Sequence, residues 1–511
     1  MDPIALSVFS SRMAAVCEEM GAVLRRTAFS PNIRDRLDFS CAVFDTEGGL
    51  AAQAAHIPVH LGSMAYAMGG VIRRFDWQPG DMVVFNDPFL GGTHLPDVTL
   101  VSPLFVDDQL VAFLANRAHH ADIGAVTPGS MPLSTTLEEE GVIISPVRLY
   151  EAGRRDEAVL RRIVSRTRNP RQAAGDFAAQ ASSVASGVGR LQELVTGMGV
   201  TAFREALVAL NDYAERLVRS ALADLPDGSW TFTDYLDDDG QGAEDLPIQV
   251  RVRIDHHDVD VDFTGTTDQV KGNLNCPLSV AAAGVFYVFR CLMPAQTPAC
   301  AGAFRPITLS APEGSLLNAR QPAAVAAGNV ETSQRVVDAV LGALAPALPE
   351  RIPAASHGGM NNLAMGALPG DAPWDYYETL GGGMGGGPHH PGRSGVQVHM
   401  TNTLNTPLEA LEMAYPLRLR RYALRRGSGG AGQHPGGQGV VREYEFLTPA
   451  SVTLITERRR HAPWGLAGGG AGAPGENRLN DQPLPGKARL EVAAGDRLTV
   501  MTPGGGGWGA S

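Results

Sequence analysis

The sequence has too few basic residues for a typical nucleic-acid-binding protein, and its apolar runs are too short for a membrane-spanning protein. Its 511 residues include 42 basic against 54 acidic side chains, a formal net charge of −12. Binding to nucleic-acid phosphates needs a basic surface, so this balance argues against a nucleic-acid partner. The longest apolar run, VAAAGVFYVF at 280–289, ends at Arg290. A membrane-spanning helix needs roughly 18 or more such residues, so we expect no membrane span.

Paired cysteines and secretion signals are also missing. The 5 cysteines form no CxxC pair, which is typical of a protein kept in a reducing compartment without disulfides. The opening stretch, MDPIALSVF, lacks the basic segment that begins a secretory signal peptide. Both features predict a cytoplasmic protein.

Several common catalytic signatures are absent. The chain contains no GxxxxGK[ST] phosphate loop and no GxSxG nucleophile elbow, so neither ATP binding by this chain nor serine hydrolysis is indicated. Cys41 and Cys276 lie in apolar segments, where a thiol more often packs than reacts. The run GGGMGGG at 381–387 has no strand before it and no helix after it, so it is a weak nucleotide signal.

What is present predicts an α+β protein with mixed helices and antiparallel strands. Residues 4–25 carry apolar side chains at helical spacing, and 155–225 is rich in Ala, Leu and Arg with few helix breakers. Short β-type runs fill 38–120, and strict alternation marks 248–265. We divide the chain into a metal-site α/β region (1–150), a helical region (151–228) and a β-rich, glycine-rich region packed on the first (229–511).

Glycine is concentrated in the last third of the chain. Of the 60 glycines, 32 lie between 358 and 509, interleaved with strand-like segments such as VHMTNT and YEFLTP. A flexible linker is the alternative, but linkers carry few apolar and aromatic residues. We therefore predict ordered structure, with the strand-like segments in a sheet and the glycines at turns or at close backbone contacts.

Two short polar clusters between apolar runs are the candidate site. They are GGTHLPDV at 91–98 and NRAHHADIG at 116–124, and the runs VTLVSPLF and QLVAFLAN between them flank a turn at Asp107–Asp108. A hairpin centred there pairs positions that sum to about 215, so Asp97 faces residue 118. Neighbouring strands lie about 4.8 Å apart, so His94, Asp97 and one of His119 and His120 can share a cation. Two imidazoles and a carboxylate suit Zn, Mn or Fe.

A second possible hairpin, DFSCAVFD–TEGG–LAAQAAHIPVH at 38–60, brings Asp38 near His56. Asp38 would then be a fourth ligand, or a partner that orients a ligating histidine. The alternative for both clusters is that the polar side chains merely end strands, since HxxD occurs by chance in many proteins.

Longer motifs along nearly the whole chain resemble the hydantoinase B family. They are RTAFSPNIRDRLDFSCAVFD (26–45), AAQAAHIPVHLGSM (51–64), NDPFLGGTHLPDV (86–98), NRAHHADIG (116–124), GNVETSQR (328–335), YYETLGGGMGGG (376–387), VHMTNTLNTPLEALE (398–412) and the closing TPGGGGWG.

The resemblance implies a multi-lobed hydantoinase B-type fold with a glycine-rich C-terminal β region. It also implies the family's metal ligands at Asp38, His94, Asp97 and His119, with His120 the second choice for the last position. Where many relatives continue DIGG, this chain has DIGAV at 122–126, which leaves the shape of that loop open.

The activity implied is that of a two-subunit, ATP-dependent cyclic-amide hydrolase of the N-methylhydantoinase or 5-oxoprolinase type. A hydantoinase A-like partner, with ATP and Mg, would phosphorylate the ring carbonyl oxygen, which activates an unstrained amide for attack. The metal here would lower the pKa of bound water for ring opening, with His120 or Asp122 as general base. An A2B2 assembly is expected.

Two other functions stay open at this stage. One is a component of an acetone or acetophenone carboxylase, which the same family resemblance allows. The other is a non-catalytic scaffold for the hydantoinase A-like partner, in which the His and Asp clusters are incidental.

Overall fold

The computed structural model describes residues 2–54 and 56–510 and has the predicted α+β class, with helices and mainly antiparallel strands. The helices are α1 (Pro3–Thr27), α2 (Pro31–Arg34), α3 (Pro58–Ile72), α4 (Glu157–Val164), α5 (Pro170–Met198), α6 (Val200–Ala223), α7 (Leu278–Leu292), α8 (Ser333–Leu344) and α9 (Leu408–Ala414).

The strands divide into those before and those after residue 300. The first group is β1 (Phe39–Phe44), β2 (Leu50–Gln53), β3 (Met82–Phe85), β4 (Asp97–Val106), β5 (Gln109–His119), β6 (Val147–Glu151), β7 (Arg154–Arg155), β8 (Gly228–Asp238), β9 (Glu244–Asp255) and β10 (Asp258–Asp262). The second group is β11 (Ile307–Ser310), β12 (Asn362–Gly366), β13 (Asp375–Glu378), β14 (Leu417–Arg425), β15 (Gly439–Phe446), β16 (Ala450–Ile455), β17 (Glu476–Leu479), β18 (Gln482–Leu484), β19 (Lys487–Val492) and β20 (Arg497–Met501).

These strands form four sheets within the described residues. A seven-stranded sheet has the order β2-β1-β5-β4-β3-β6-β7, and a four-stranded sheet has the order β11-β10-β9-β8. The last third forms a four-stranded sheet, β13-β12-β16-β19, and a five-stranded sheet, β14-β15-β20-β17-β18. The centre of the seven-stranded sheet is the β4–β5 hairpin, which is buried along most of its length.

The first helix forms as its sequence predicts. Asp2 caps its N-terminus by accepting hydrogen bonds from the backbone N–H groups of Ile4 and Ala5, and Pro3 occupies the first turn. Its apolar positions, including Phe9, Met13 and Met20, are buried, and the helix packs against α5. This packing supports one side of the central sheet, since α5 in turn contacts β4 and β5.

The central hairpin turns where predicted, but its register differs by one residue. Asp107 and Asp108 both have positive φ, 51° and 59°, as a tight two-residue hairpin turn requires. Val106 pairs with Gln109, but a bulge follows, and Leu104 pairs with Ala112. The extra residue of the bulge moves every later pair by one position, so Asp97 faces His119 and not residue 118.

The glycine-rich last third is ordered, and its strand-like segments lie in sheets as predicted. Of the two predicted roles for the glycines, turns and close backbone contacts, the run 381–387 has the second, and none of its glycines has positive φ. These glycines instead allow backbone segments to touch: a Cβ on Gly383 would lie 2.0 Å from the carbonyl oxygen of Gly437, and one on Gly436 would lie 1.9 Å from that of Gly505.

We call the segments 381–387, 428–439, 465–472 and 503–509 the glycine layer. Backbone hydrogen bonds join them, among others from Gly437 N to Met384 O at 2.8 Å and from Gly505 N to Gly437 O at 2.9 Å. The layer is therefore built from main chain, and side chains would prevent its segments from meeting.

Across the described residues, no helix has both the length and the apolar character that crossing a membrane requires.

Candidate functional site

Three predicted residues converge at one end of the central hairpin. Asp97 begins β4, His119 ends β5, and His94 lies in the loop before β4. One ligand atom from each can be chosen so that all lie within 4.8 Å of one another, and all three side chains are buried. Asp97 Oδ1 is 3.1 Å from His94 Nε2 and 3.2 Å from His119 Nδ1. Ligands that bind one cation at about 2.1 Å stand about 3.0–3.5 Å apart, so this spacing fits a shared cation.

The two histidines have nitrogen atoms ready for a ligand. His94 Nδ1 is 3.0 Å from the carbonyl oxygen of Ala326, an arrangement in which Nδ1 carries the proton and Nε2 keeps its lone pair. Among the described residues, the buried Nε2 of His119 finds no hydrogen-bond partner, and the buried Nε2 of His94 faces the Asp97 carboxylate oxygen at 3.1 Å. The ring of His119 is also fixed by stacking on Tyr377, with ring centroids 4.8 Å apart. The donor set therefore fits a divalent ion such as Zn, Mn or Fe.

The charges in the cluster favour an ionised carboxylate beside imidazoles. Burial by itself raises the pKa of Asp97, but His60 and His94 outweigh it and hold that pKa well below its ordinary value. Burial lowers the pKa of His119, which keeps this imidazole neutral. Burial also opposes protonation of His94, but Asp97 more than offsets this and raises the pKa of His94. A proton therefore competes with a cation for His94.

His60 is a site residue that the sequence analysis missed. It lies in the first turn of α3, and its Nε2 is 3.2 Å from Asp97 Oδ2 and 3.9 Å from Asp38 Oδ1. His60 is thus near both carboxylates, and Asp38 also contacts the cluster directly, since its backbone carbonyl accepts a hydrogen bond from the N–H of His119 at 3.0 Å. The only signal in the sequence was the HIPVH spacing, which carries two histidines into the same segment.

The sequence predicted that Asp38 lies near His56, but in the structure the histidine near the Asp38 carboxylate is His60. The ring of His56 accepts a hydrogen bond from the backbone N–H of Cys41 at 3.1 Å and packs edge-on against Phe39. The reason is local: β2 ends at Gln53, and the chain then turns into α3, so the strand pairing does not extend to residue 56.

His120 and Asp122, the predicted catalytic pair, make contacts outside the cluster. His120 Nε2 is 2.9 Å from Gln180 Oε1, and its ring packs against Phe177 of α5. Asp122 accepts hydrogen bonds from the backbone N–H groups of Gly124 and Arg168 and forms an ion pair with the Arg168 side chain. Adjacent residues of an extended strand point to opposite faces, which explains why His119 enters the cluster while His120 faces the helix.

Two further hydrogen bonds hold the second carboxylate oxygen of Asp97. Its Oδ2 accepts hydrogen bonds from Thr93 Oγ1 at 2.8 Å and from Asn329 Nδ2 at 3.0 Å. Sequence reasoning identified neither residue as part of the site. Asn329 lies in the GNVETSQR motif, but nothing in that motif indicates that it reaches a residue so distant in the chain.

Thiol chemistry is not favoured by the structure. Cys41 and Cys276 are fully buried, and burial raises the pKa of both thiols above the ordinary value. Such thiols are protonated near neutral pH and are poor nucleophiles.

Sequence comparisons connect the chain with proteins of related length and with longer ones. The Hydantoinase B/oxoprolinase family model matches residues 2–511. An uncharacterized protein of Methanocaldococcus jannaschii is 40% identical over all of this chain and 91% of its own length. 5-oxoprolinase 1 of Arabidopsis thaliana is 39% identical, and the chain spans 42% of its length. The B-type component of a putative D-/L-hydantoinase from a Pseudomonas strain is 32% identical over 90% of its length.

Solved structures give the same fold. The ATP-dependent caprolactamase of Pseudomonas jessenii superposes with a TM-score of 0.93 at 29% identity, covering 100% of this chain and 91% of that one. A nucleotide-free acetone carboxylase superposes with a TM-score of 0.90 at 16% identity, covering 99% of this chain and 76% of that one. At 16% identity, the likeness to the acetone carboxylase concerns the fold alone.

Proposed function

The chain belongs to the Hydantoinase B/oxoprolinase family, and from this premise we propose that it is the metal-bearing component of an ATP-dependent enzyme that opens cyclic amides. The names of the relatives support the reaction class: 5-oxoprolinase, hydantoinase and caprolactamase all act on ring amides. The single structural observation that carries the proposal is the convergence of His94, Asp97 and His119 within 4.8 Å.

The proposed division of labour assigns ATP and Mg to a hydantoinase A-like partner. This sequence has no phosphate loop. The Pseudomonas relative is named as one component of a larger hydantoinase, and the chain spans 42% of the Arabidopsis 5-oxoprolinase, which leaves room in that polypeptide for a second functional part. We propose a symmetric A2B2 complex, in which the partner phosphorylates the ring carbonyl oxygen beside the metal-binding cluster. The dependence of such a complex on ATP and the free thiols of this chain fit the cytoplasm.

We assign the ion to His94, Asp97 and His119, and Asp38, whose Oδ1 lies 3.9 Å from His60 Nε2, is the proposed fourth ligand. A divalent ion held by these residues would supply Lewis acidity and would lower the pKa of bound water. Burial favours the neutral imidazole of His119, the carbonyl oxygen of Ala326 orients that of His94, and the buried cluster offers one carboxylate oxygen of Asp97. The contacts of His120 with Gln180, and of Asp122 with Arg168, favour a role in shaping the loop after β5 over proton transfer.

The proposed class of substrates includes hydantoin, 5-oxoproline and other lactams. The carboxylase function considered from the sequence receives no separate support, because the likeness to acetone carboxylase at 16% identity concerns the fold.

The test is reconstitution of the purified chain with a hydantoinase A-like partner, ATP and Mg, against a panel of hydantoins and lactams. We expect ring opening of at least one compound, measured by mass spectrometry of the opened product. The His94→Ala complex should lack both bound metal and turnover. Full turnover by His94→Ala would contradict the proposed role of the cluster.

A further inference from the structure

The segment 325–332, which contains the start of the GNVETSQR motif, contacts two of the three converging residues. Ala326 offers its carbonyl oxygen to His94 Nδ1 at 3.0 Å, and Asn329 donates from Nδ2 to Asp97 Oδ2 at 3.0 Å. Residues 328–332 form a π-helical turn, a geometry that is rare and that often occurs at functional sites. We call 325–332 the orienting segment.

The orienting segment is itself held rigidly. The buried carboxylate of Glu140 accepts hydrogen bonds from the backbone N–H groups of Val325 and Ala326 at 2.8 and 2.9 Å. The backbone carbonyl of Asn273 accepts from the N–H groups of Ala327 and Gly328. The position of residue 328 is also close to other main chain, since a Cβ there would lie 1.9 Å from the carbonyl oxygen of Asn275.

The two oxygens of Asp97 have different surroundings. Oδ2 accepts from Thr93 and Asn329 and stands 3.2 Å from His60 Nε2. Oδ1 faces His94 Nε2 and His119 Nδ1 at 3.1 and 3.2 Å. Because Oδ2 has three polar neighbours, it has little capacity left for a cation. Oδ1, in contrast, faces the two imidazoles.

We propose that Thr93 and Asn329 are positioning residues that fix Asp97 as a one-oxygen ligand, presented through Oδ1 only. This inference rests on the proposed metal centre and adds to it the residues that set its geometry. A carboxylate that binds through one oxygen leaves a coordination position for water or for the substrate oxygen, which a reactive site needs. Without these hydrogen bonds, the carboxylate can rotate and occupy that position with its second oxygen.

The test compares Thr93→Val with Thr93→Ser, because valine has nearly the shape of threonine without the hydroxyl, and serine keeps the hydroxyl. Zn²⁺ affinity is measured by competition with a chromophoric chelator, and the visible absorption of bound Co²⁺ reports the number of ligands. We expect Thr93→Val and Asn329→Ala to bind Zn²⁺ about 10–100-fold more weakly, as is typical when a partner of a ligand is lost. Their Co²⁺ absorption should weaken as a further ligand joins, while Thr93→Ser retains the wild-type spectrum.

The outcomes separate this inference from the proposed function. Wild-type protein that binds neither Zn²⁺ nor Co²⁺ would overturn the metal centre itself. Wild-type binding with unchanged affinity and spectra in both Thr93→Val and Asn329→Ala would overturn the positioning role alone. Circular dichroism of the metal-free variants shows whether they fold. If Thr93→Val fails to fold, the affinity and spectrum of Asn329→Ala test the positioning role.

Discussion

Single buried polar side chains in the cluster need a hydrogen-bond partner or a bound ligand. Among the described residues, the buried Nε2 of His119 finds no hydrogen-bond partner, and the buried Nε2 of His94 faces only the Asp97 carboxylate oxygen of the cluster, at 3.1 Å. Leaving such a group unpaired costs about 1–3 kcal/mol, so a ligand that occupies both nitrogens stabilises the folded chain. The cluster should therefore couple metal binding to folding.

This coupling predicts the behaviour of His94→Ala. Wild-type protein should gain thermal stability when Zn²⁺ is added, because a ligand at 100 times its Kd adds about 2.7 kcal/mol to the free energy of unfolding. His94→Ala should lose this gain, and His389→Ala, at an exposed histidine, should keep it. The measurement is differential scanning fluorimetry with and without metal. An equal gain in His94→Ala would show that the cation binds elsewhere.

A second residue prediction concerns Glu331, a buried carboxyl that interacts with the backbone N–H of Met360. Burial, with the nearby charge of Glu457, raises the pKa of Glu331 from 4.5 to about 8. The folded state therefore holds a proton that the unfolded state releases at lower pH. Its contribution to the free energy of unfolding is present below pH 4.5 and is lost as the pH rises through about 8.

Glu331→Gln mimics the protonated side chain and should remove this dependence. Relative to the variant, the wild type should lose on the order of a few kcal/mol of unfolding free energy between about pH 5 and about pH 9. Urea titrations at both pH values measure the difference, with the exposed Glu138→Gln as control. Parallel pH dependence in wild type and Glu331→Gln would contradict the assignment.

At the scale of elements, local signals were predictable and long-range ones were not. The Asp107–Asp108 turn follows from flanking β-type runs, and it delivered both polar clusters to one end of the hairpin. The bulge beside Phe105 could not be predicted, because the residue that it adds to β5 is as apolar as its neighbours. One inserted residue nevertheless decides whether Asp97 faces residue 118 or His119.

His60 and Asn329 were missed for a related reason. Each reaches Asp97 from another element, α3 or the π-helical turn, and only the packing of those elements brings them together. The family resemblance named ligands by motif, and motifs do not indicate which side chains support a ligand.

The glycine layer gives a prediction at the same scale. Gly436→Ala would place a Cβ 1.9 Å from the carbonyl oxygen of Gly505, so two main-chain segments would have to separate. We expect a loss of about 1–3 kcal/mol or more in the free energy of unfolding. Gly470→Ala is the matched control, because the nearest atom to its Cβ is 3.5 Å away. Chemical denaturation measures both, and equal stability of the two variants would contradict close packing of the layer.

At the scale of the whole molecule, the chain has a site suited to a cation and no phosphate loop. An unstrained cyclic amide has a weakly electrophilic carbonyl and a poor leaving group, so its opening gains from an activating phosphoryl transfer, which we propose comes from the hydantoinase A-like partner. Burial of the cluster fits this arrangement, because exclusion of water protects an activated carbonyl until attack.

The most direct measurement follows ring opening and ATP consumption together, with the metal-loaded chain alone, with the hydantoinase A-like protein alone, and with both. We expect product only when both proteins, ATP and the cyclic amide are present, with ADP formed in step with the opened ring. Ring opening by this chain without partner and ATP would contradict this expectation.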